Sequence, residues 1–210
     1  MRTRIILSVI LIVGLCSTTL LVGCGGGGGG GEPTETAADL TSQGWALFVQ
    51  GKYEEAIEKF TRATQLDANY ADAYNGLGWS YANTKVDSLP KALINFNLCI
   101  AKDTTHADPY AGRAPVYRDL IPPQFQDAIN TATTALSKVP QDSLYEFVHY
   151  KDFNWRDLHL IKAQCYYGLK EYTQALAEVV ILDPEYEGDP GSATFVRDLA
   201  AKIEDLARSV

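Results

Sequence analysis

Residues 71–96 read ADAYNGLGWSYANTKVDSLPKALINF, and this stretch decides the fold of the chain. Tyr74 and Tyr81 lie two helical turns apart and share a face with the leucine between them. After a short stretch with a proline, Ala92 and Phe96 begin the same helical spacing again. The stretch therefore predicts two short helices joined by a turn, a helical hairpin.

The hairpin pattern occurs in four copies. The small residue of the second helix recurs 36, 36 and 47 residues apart, at Ala56, Ala92, Ala128 and Ala175. One hairpin cannot bury its own apolar stripe, whereas stacked hairpins bury a continuous core. The sequence predicts repeats at about 38–70, 71–106, 107–140 and 157–186, an insertion at 141–155 and a capping helix at about 192–208.

The spacing Tyr74-x-x-Leu77-Gly78-x-x-Tyr81 followed by Ala92-x-x-x-Phe96 resembles the tetratricopeptide repeat, with tyrosine in place of the leading tryptophan. The resemblance extends over nearly all of 38–210. It implies an all-α solenoid of about four helical hairpins with a C-terminal cap. It also implies a concave groove that binds a peptide or an extended segment of a protein partner, and a family that almost never carries out chemistry.

The resemblance also predicts the groove residues. The carboxylate clamp of some family members is absent, because its positions hold Thr41, Trp45, Gly76, Asp108 and Gly112. The predicted groove is instead largely apolar and aromatic, and consists of Trp45, Phe48, Asn75, Trp79, Leu160, Gln164 and Tyr167. Such a surface suits a segment anchored by apolar side chains. The two tryptophans could equally pack against the neighbouring helix, although we expect them to serve binding more than folding.

Two features depart from the repeat pattern. Pro115 falls inside the first helix of the third repeat, where it removes a backbone donor and is expected to bend the helix. The insertion at 141–155 is rich in aromatic residues and has the composition of short extended chain. It either covers an exposed flank of the solenoid or lines a binding surface. The first interpretation is preferred, because aromatic stripes are more often core than site.

The amino-terminal segment predicts export and a lipid anchor. Arg2 and Arg4 precede an apolar run that ends in Leu21-Val22-Gly23-Cys24, which resembles the lipobox of bacterial lipoproteins. The resemblance implies a signal peptide at 1–23 and acylation of Cys24, with 24–37 as a glycine-rich tether. An uncleaved transmembrane helix is the alternative, but the run is at the short end of the roughly 17–25 residues needed to span a bilayer. In a double-membraned cell we expect the outer membrane, facing the periplasm.

Charge and motifs exclude several classes of function. The net charge of −8 becomes two units more negative without residues 1–23, so the chain is not expected to bind nucleic acid. No catalytic motif or metal-ligand spacing occurs, and His106, His149 and His159 are scattered, so neither catalysis nor a cofactor is expected. Cys99 and Cys165 are predicted to be free thiols, because the third repeat separates them.

The sequence thus predicts a non-catalytic, membrane-anchored adaptor of the bacterial cell envelope that holds a protein partner in its groove. Two alternatives stay open. The chain could be a structural accessory of an envelope assembly machine, of the barrel-assembly or pilus kind, or a recruiter of cell-wall enzymes.

Overall fold

A computed structural model describes residues 34–139 and 144–209. The signal peptide, Cys24 and most of the tether lie outside the described residues. The described ranges hold nine α-helices and no strand: α1 Ala37–Val49, α2 Tyr53–Leu66, α3 Ala71–Ala82, α4 Leu89–Lys102, α5 Asp108–Asp119, α6 Phe125–Ser137, α7 Trp155–Gly168, α8 Tyr172–Leu182 and α9 Phe195–Ser209. The expected all-α fold is confirmed.

The helices form two layers. The odd-numbered helices α1, α3, α5, α7 and α9 pack on one another in succession and form the inner layer. Each even-numbered helix packs between the odd-numbered helices that precede and follow it in the chain. The side of the inner layer that faces away from the even-numbered helices is the inner face. A binding groove is expected on this face.

Glycines on the inner helices allow this close packing. The ring of Phe60 on α2 fits between Gly44 on α1 and Gly76 on α3, and a Cβ atom at either glycine would lie within 2.6 Å of the ring. The ring of Phe96 on α4 fits in the same way between Gly78 and Gly112. The repeated phenylalanine and its two glycines therefore join the first hairpin to the second and the second to the third.

The first helix of the chain and the first helix of the last repeat begin with the same capping arrangement. At α1, Thr36 Oγ1 accepts a hydrogen bond from the Asp39 N–H, and the Asp39 carboxylate accepts one from the Thr36 N–H. Asn154 and Asp157 form the equivalent box at α7. Such boxes satisfy backbone donors that a helix start leaves free. The capping box therefore sets the start of α7 directly after the insertion.

The core of the described residues has one large cluster and two smaller ones, of which one consists of Leu40, Ala63 and Ala73. The large cluster spans the first three repeats and includes Tyr145 and Phe147 from the insertion. A second cluster joins α7, α8 and α9 around Val179 and Leu199. The proline at position 115 does not interrupt α5, which runs as one helix from Asp108 to Asp119.

Both cysteines within the described ranges are buried and free of disulfides, Cys99 in α4 and Cys165 in α7. Burial raises the pKa of each thiol to about 12, which keeps it protonated at neutral pH. None of the helices in 34–139 and 144–209 has the length and apolar character needed to cross a membrane.

Candidate binding groove

The inner face of α1, α3 and α5 is covered by residues 144–154, which we call the covering segment. Its first half alternates in burial: Tyr145 and Phe147 are buried and His149 is half-buried, whereas the residues between them are exposed. A period of two is typical of extended chain with one face against a surface. The insertion thus lies over residues of the predicted groove, and its inward side chains Tyr145 and Phe147 belong to the large core cluster.

Aromatic contacts hold the covering segment against the helices. The Phe147 ring stacks on Trp79 with 4.4 Å between centroids, and it meets the edge of Trp45 at 5.6 Å. The His149 ring stacks on the Trp45 ring, with 3.9 Å between the centroids. Phe153 packs at right angles to Trp79. Burial of such rings is the largest favourable contribution that a segment of this size can make.

Two aspartates, the buried Asp108 and the half-buried Asp72, hold the polar groups of the segment. The Tyr145 hydroxyl donates a hydrogen bond of 2.9 Å to Asp108 Oδ1 on α5. On α3, Asp72 Oδ2 accepts a 3.0 Å hydrogen bond from Trp45 Nε1, and Asp72 Oδ1 lies 3.5 Å from His149 Nε2. The segment is therefore fixed at both ends of its alternating stretch by a carboxylate of the inner face.

These two carboxylates differ in acidity. Burial raises the pKa of Asp108 and outweighs the opposing hydrogen bond from Tyr145. Burial also acts on Asp72, but the contacts with His149 and Trp45 outweigh it and hold the pKa of Asp72 below its ordinary value. Burial and the neighbouring Asp108 raise the pKa of Tyr145, so its hydroxyl stays a donor. The site thus offers acceptors to a ligand that brings O–H and N–H groups.

The structure divides the predicted groove residues into two groups. Five are buried: Trp45, Phe48, Asn75, Trp79 and Leu160. The first four lie on α1 and α3 beneath or beside the covering segment. They do not form an open surface, because the apolar side chains of the covering segment pack over them. Leu160 packs in the core between α7, α8 and α9. Their role in binding a partner stays a prediction.

Gln164 and Tyr167 are half-buried and face open space. With α9 they line a shallow cavity of about 260 Å³ that includes Ala200, Ile203 and Ala207. Gln164 Oε1 also accepts a 2.8 Å hydrogen bond from Arg118 on α5. The C-terminal part of the inner face is therefore accessible where the N-terminal part is covered.

Each histidine has a carboxylate partner, which the sequence did not reveal. His106 Nδ1 lies 3.7 Å from Asp108, and His159 Nδ1 lies 2.6 Å from Glu178. His149 and His159 are held by different carboxylates in different repeats. No group of three metal-ligating side chains occurs in the part of the chain that the structure describes. The histidines thus contribute to packing between elements.

One signal in the sequence could have shown that the insertion has a buried face. Tyr145, Phe147 and His149 alternate with Glu146 and Val148, and such alternation predicts a strand with one buried face. No neighbouring strand exists in the repeats, so the face must lie against helices. The repeat's inner face is the one large apolar surface that the hairpins do not cover themselves.

Comparisons with known proteins support the fold. A family model described as TPR repeat matches residues 44–84. The crystal structure of MamA has a TM-score of 0.55 at 19% identity, over 84% of this chain and 83% of that chain. A second MamA crystal structure has a TM-score of 0.57 at 15% identity, over 83% and 87% of the two chains.

A tetratricopeptide repeat protein from Parabacteroides merdae is also similar, with a TM-score of 0.53 at 16% identity over 82% of this chain and 60% of that chain. None of the curated proteins matches the chain at a significant level. At these identities the likeness shows the fold alone, which is an all-α solenoid of the tetratricopeptide type.

Proposed function

We propose that this protein is a lipid-anchored, non-catalytic adaptor of the bacterial cell envelope that binds an extended segment of a protein partner on its inner face. The observation that carries the proposal is the covering segment itself. Its aromatic stretch, which is extended as far as Phe147 and then turns at residues 148–149, lies across α1, α3 and α5. Phe147 lies between two tryptophans and Tyr145 bonds to a buried carboxylate. A surface that accommodates one aromatic segment has the chemistry to accommodate another.

The non-catalytic part of the proposal rests on how the reactive side chains are used. Both thiols are buried with raised pKa values, so neither is a nucleophile at neutral pH. His159 and Glu178 pair in the seam between α7 and α8, where Lys162 Nζ also contacts the carboxylate at 2.7 Å. Side chains of this kind stabilise the solenoid.

The anchor and the envelope location rest on the sequence of the first 31 residues. A lipidated Cys24 followed by Gly25–Gly31 would tether the folded part on a flexible leash with a reach of roughly 20 Å. Several acyl chains hold a protein far better than the single chain that binds only marginally. The adaptor would thus be held near the membrane while its inner face stays free to meet a partner.

Site-specific photocrosslinking in cells tests the proposal. A photoreactive amino acid at Tyr167, on the accessible part of the inner face, is expected to give a discrete adduct with one protein. The matched control places it at Ile94, which is 58% exposed on the outer helix α4. A Cys24→Ser variant, which lacks the lipid, is expected to lose the adduct. The same adducts from both positions, or none from Tyr167, would refute the adaptor.

A further inference from the structure

The covering segment is attached to the repeats through side chains. Within the described residues, its backbone hydrogen bonds stay inside the segment or reach the start of α7: Phe147 N donates to Phe153 O, and Trp155 N donates to Tyr145 O. An antiparallel bridge between Glu146 and Asn154 closes the loop. The backbone of the segment therefore makes no hydrogen bond to α1, α3 or α5, and any chain that offers the same side chains could take its place.

Some buried polar groups of α3 lack hydrogen-bond partners. Asn75 on α3 lies one turn after Asp72 and one turn before Trp79, is fully buried, and has no hydrogen-bond partner for either atom of its amide. The indole nitrogen of Trp79 is also buried without a partner. Buried polar groups that lack a partner destabilise the state that buries them. The Trp79 ring stacks on Phe147, so a ligand that brought an acceptor to the Trp79 N–H would gain a hydrogen bond that the covering segment does not make.

The packing of the segment is also incomplete. A cavity of about 240 Å³ remains beside it and is lined by Phe48, Trp79 and Pro115 from the helices and by Tyr150 and Phe153 from the segment. This pocket is open to solvent, so a chain that took the place of the segment could extend into it.

We propose that residues 144–154 are an internal ligand, which occupies the groove until an extended segment of a partner protein displaces it. The inference rests on the adaptor function proposed above and names the partner's chemistry. The displacing segment carries aromatic side chains at alternate positions, in the order Tyr-x-Phe-x-His or a close equivalent, with no acidic side chain at the inward positions.

The groove dictates this chemistry. The first inward position must bring an O–H donor to Asp108, as Tyr145 does. The second must be a flat ring that stacks on Trp79. The third must bring a ring that stacks on Trp45 and a nitrogen near Asp72. A carboxylate at the first or third position would face the carboxyl group of Asp108 or Asp72, and the repulsion would disfavour it.

A peptide supplied in trans tests the inference. The probe is a fluorescein-labelled peptide with the sequence of residues 144–154, LYEFVHYKDFN, and the readout is its fluorescence anisotropy with the purified chain. Phe147→Ala removes the central ring of the internal ligand and leaves the floor of the groove intact. We expect this variant to bind the peptide at least about tenfold more tightly than the wild-type chain, since the internal competitor is weakened.

The matched control is Val148→Ala. Val148 is the next residue but is 73% exposed and points away from the groove, so this variant should bind the peptide as weakly as the wild type. If Phe147→Ala does not fold, Tyr145→Phe replaces it, because it removes only the hydroxyl that bonds to Asp108 and keeps the ring. A control peptide with serine for the tyrosine and the phenylalanine at positions 145 and 147 should not bind.

Equal affinity of the probe for the wild type and for folded variants of the segment would overturn the inference, as would equal binding of the control peptide. Failure of the internal-ligand inference can be distinguished from failure of the adaptor proposal. A partner crosslinked at Tyr167 without any effect of the segment variants would leave an adaptor that uses the C-terminal part of its inner face. Peptide binding without any crosslinked partner in cells would refute the adaptor and keep the internal ligand.

Discussion

Lys170, in the turn between α7 and α8, has a backbone φ of 64°, which is the left-handed region that favours glycine. Gly51 has a φ of 74° in the equivalent turn between α1 and α2. Each of the two residues stands two positions before a tyrosine that starts the next helix. The turns of the first and fourth copies therefore share this conformation, and the fourth adopts it with a residue that is strained there.

We expect Lys170→Gly to raise the free energy of unfolding by about 0.5–1 kcal/mol, because glycine adopts this conformation without strain. For a chain of this size the gain corresponds to a melting temperature about 2–4 °C higher for each 1 kcal/mol. Lys170→Ala is the matched control, since it removes the same side chain but keeps the Cβ atom. If alanine stabilises as much as glycine, the strain is not the cause.

The proposed membrane anchor depends on Cys24. Cys24→Ser is expected to give an uncleaved precursor without lipid, because only a thiol forms the thioether to diacylglycerol. Metabolic labelling with a fatty acid measures this directly. The wild type should incorporate label and the serine variant should not, whereas equal labelling would exclude Cys24 as the site.

At the scale of elements, the contact between α7 and α8 depends on a buried charge cluster. Glu178 accepts from both His159 and Lys162, at 2.6 and 2.7 Å. Burial alone would raise the pKa of Glu178, but these two partners outweigh it and lower the pKa. A carboxyl group whose pKa is lowered on folding stabilises the fold above its ordinary pKa and loses that contribution as the pH falls through the folded value.

We therefore expect Glu178→Gln to lower the free energy of unfolding at pH 7 by about 3 kcal/mol, since Lys162 is left without its partner. The difference from the wild type should shrink as the pH falls below the ordinary value of 4.5. Glu204→Gln, which breaks an exposed pair with Arg208 on α9, is the control and should cost less than about 1 kcal/mol. Chemical denaturation at several pH values gives both numbers. A pH-independent difference would show that the charge is not responsible.

Packing of one hairpin on the next depends on Gly76. A Cβ atom there would lie 2.3 Å from the Phe60 ring, so Gly76→Ala should cost about 1–3 kcal/mol through overpacking. Phe60→Leu in the same chain should recover part of the loss, since the smaller side chain makes room. Denaturation of both single variants and the double variant measures the coupling between the two positions. Strictly additive losses would contradict direct contact.

The helices were predictable because their signals are local. Ala56 and Phe60 are four residues apart, about one helical turn, and the same spacing recurs at Ala92 and Phe96. This local spacing predicts the second helix of the hairpin. The position of the covering segment depends instead on contacts between residues far apart, such as Phe147 with Trp45 and Tyr145 with Asp108. A sequence pattern shows that such a segment has a buried face but does not show which surface covers it.

At the scale of the whole molecule, the groove can be occupied in two ways, by the covering segment or by a segment of a partner. The first three repeats present aromatic rings and the carboxyl groups of Asp72 and Asp108, and the covering segment contacts them through three side chains. If this occupancy is exchangeable, the segment must open without unfolding of the solenoid. Local opening of a ligand-binding region at a fraction of the global free energy is common in proteins.

Native-state hydrogen exchange tests this claim most directly. The account predicts that the Phe147 and Trp155 amides, whose hydrogen bonds close the covering segment, exchange at least about tenfold faster than the amides in the second half of α3. Low concentrations of denaturant should leave their exchange unchanged, because the opening exposes little surface. Exchange of both amides at the rate of α3, with the same dependence on denaturant, would make the segment a permanent part of the core and would contradict the account.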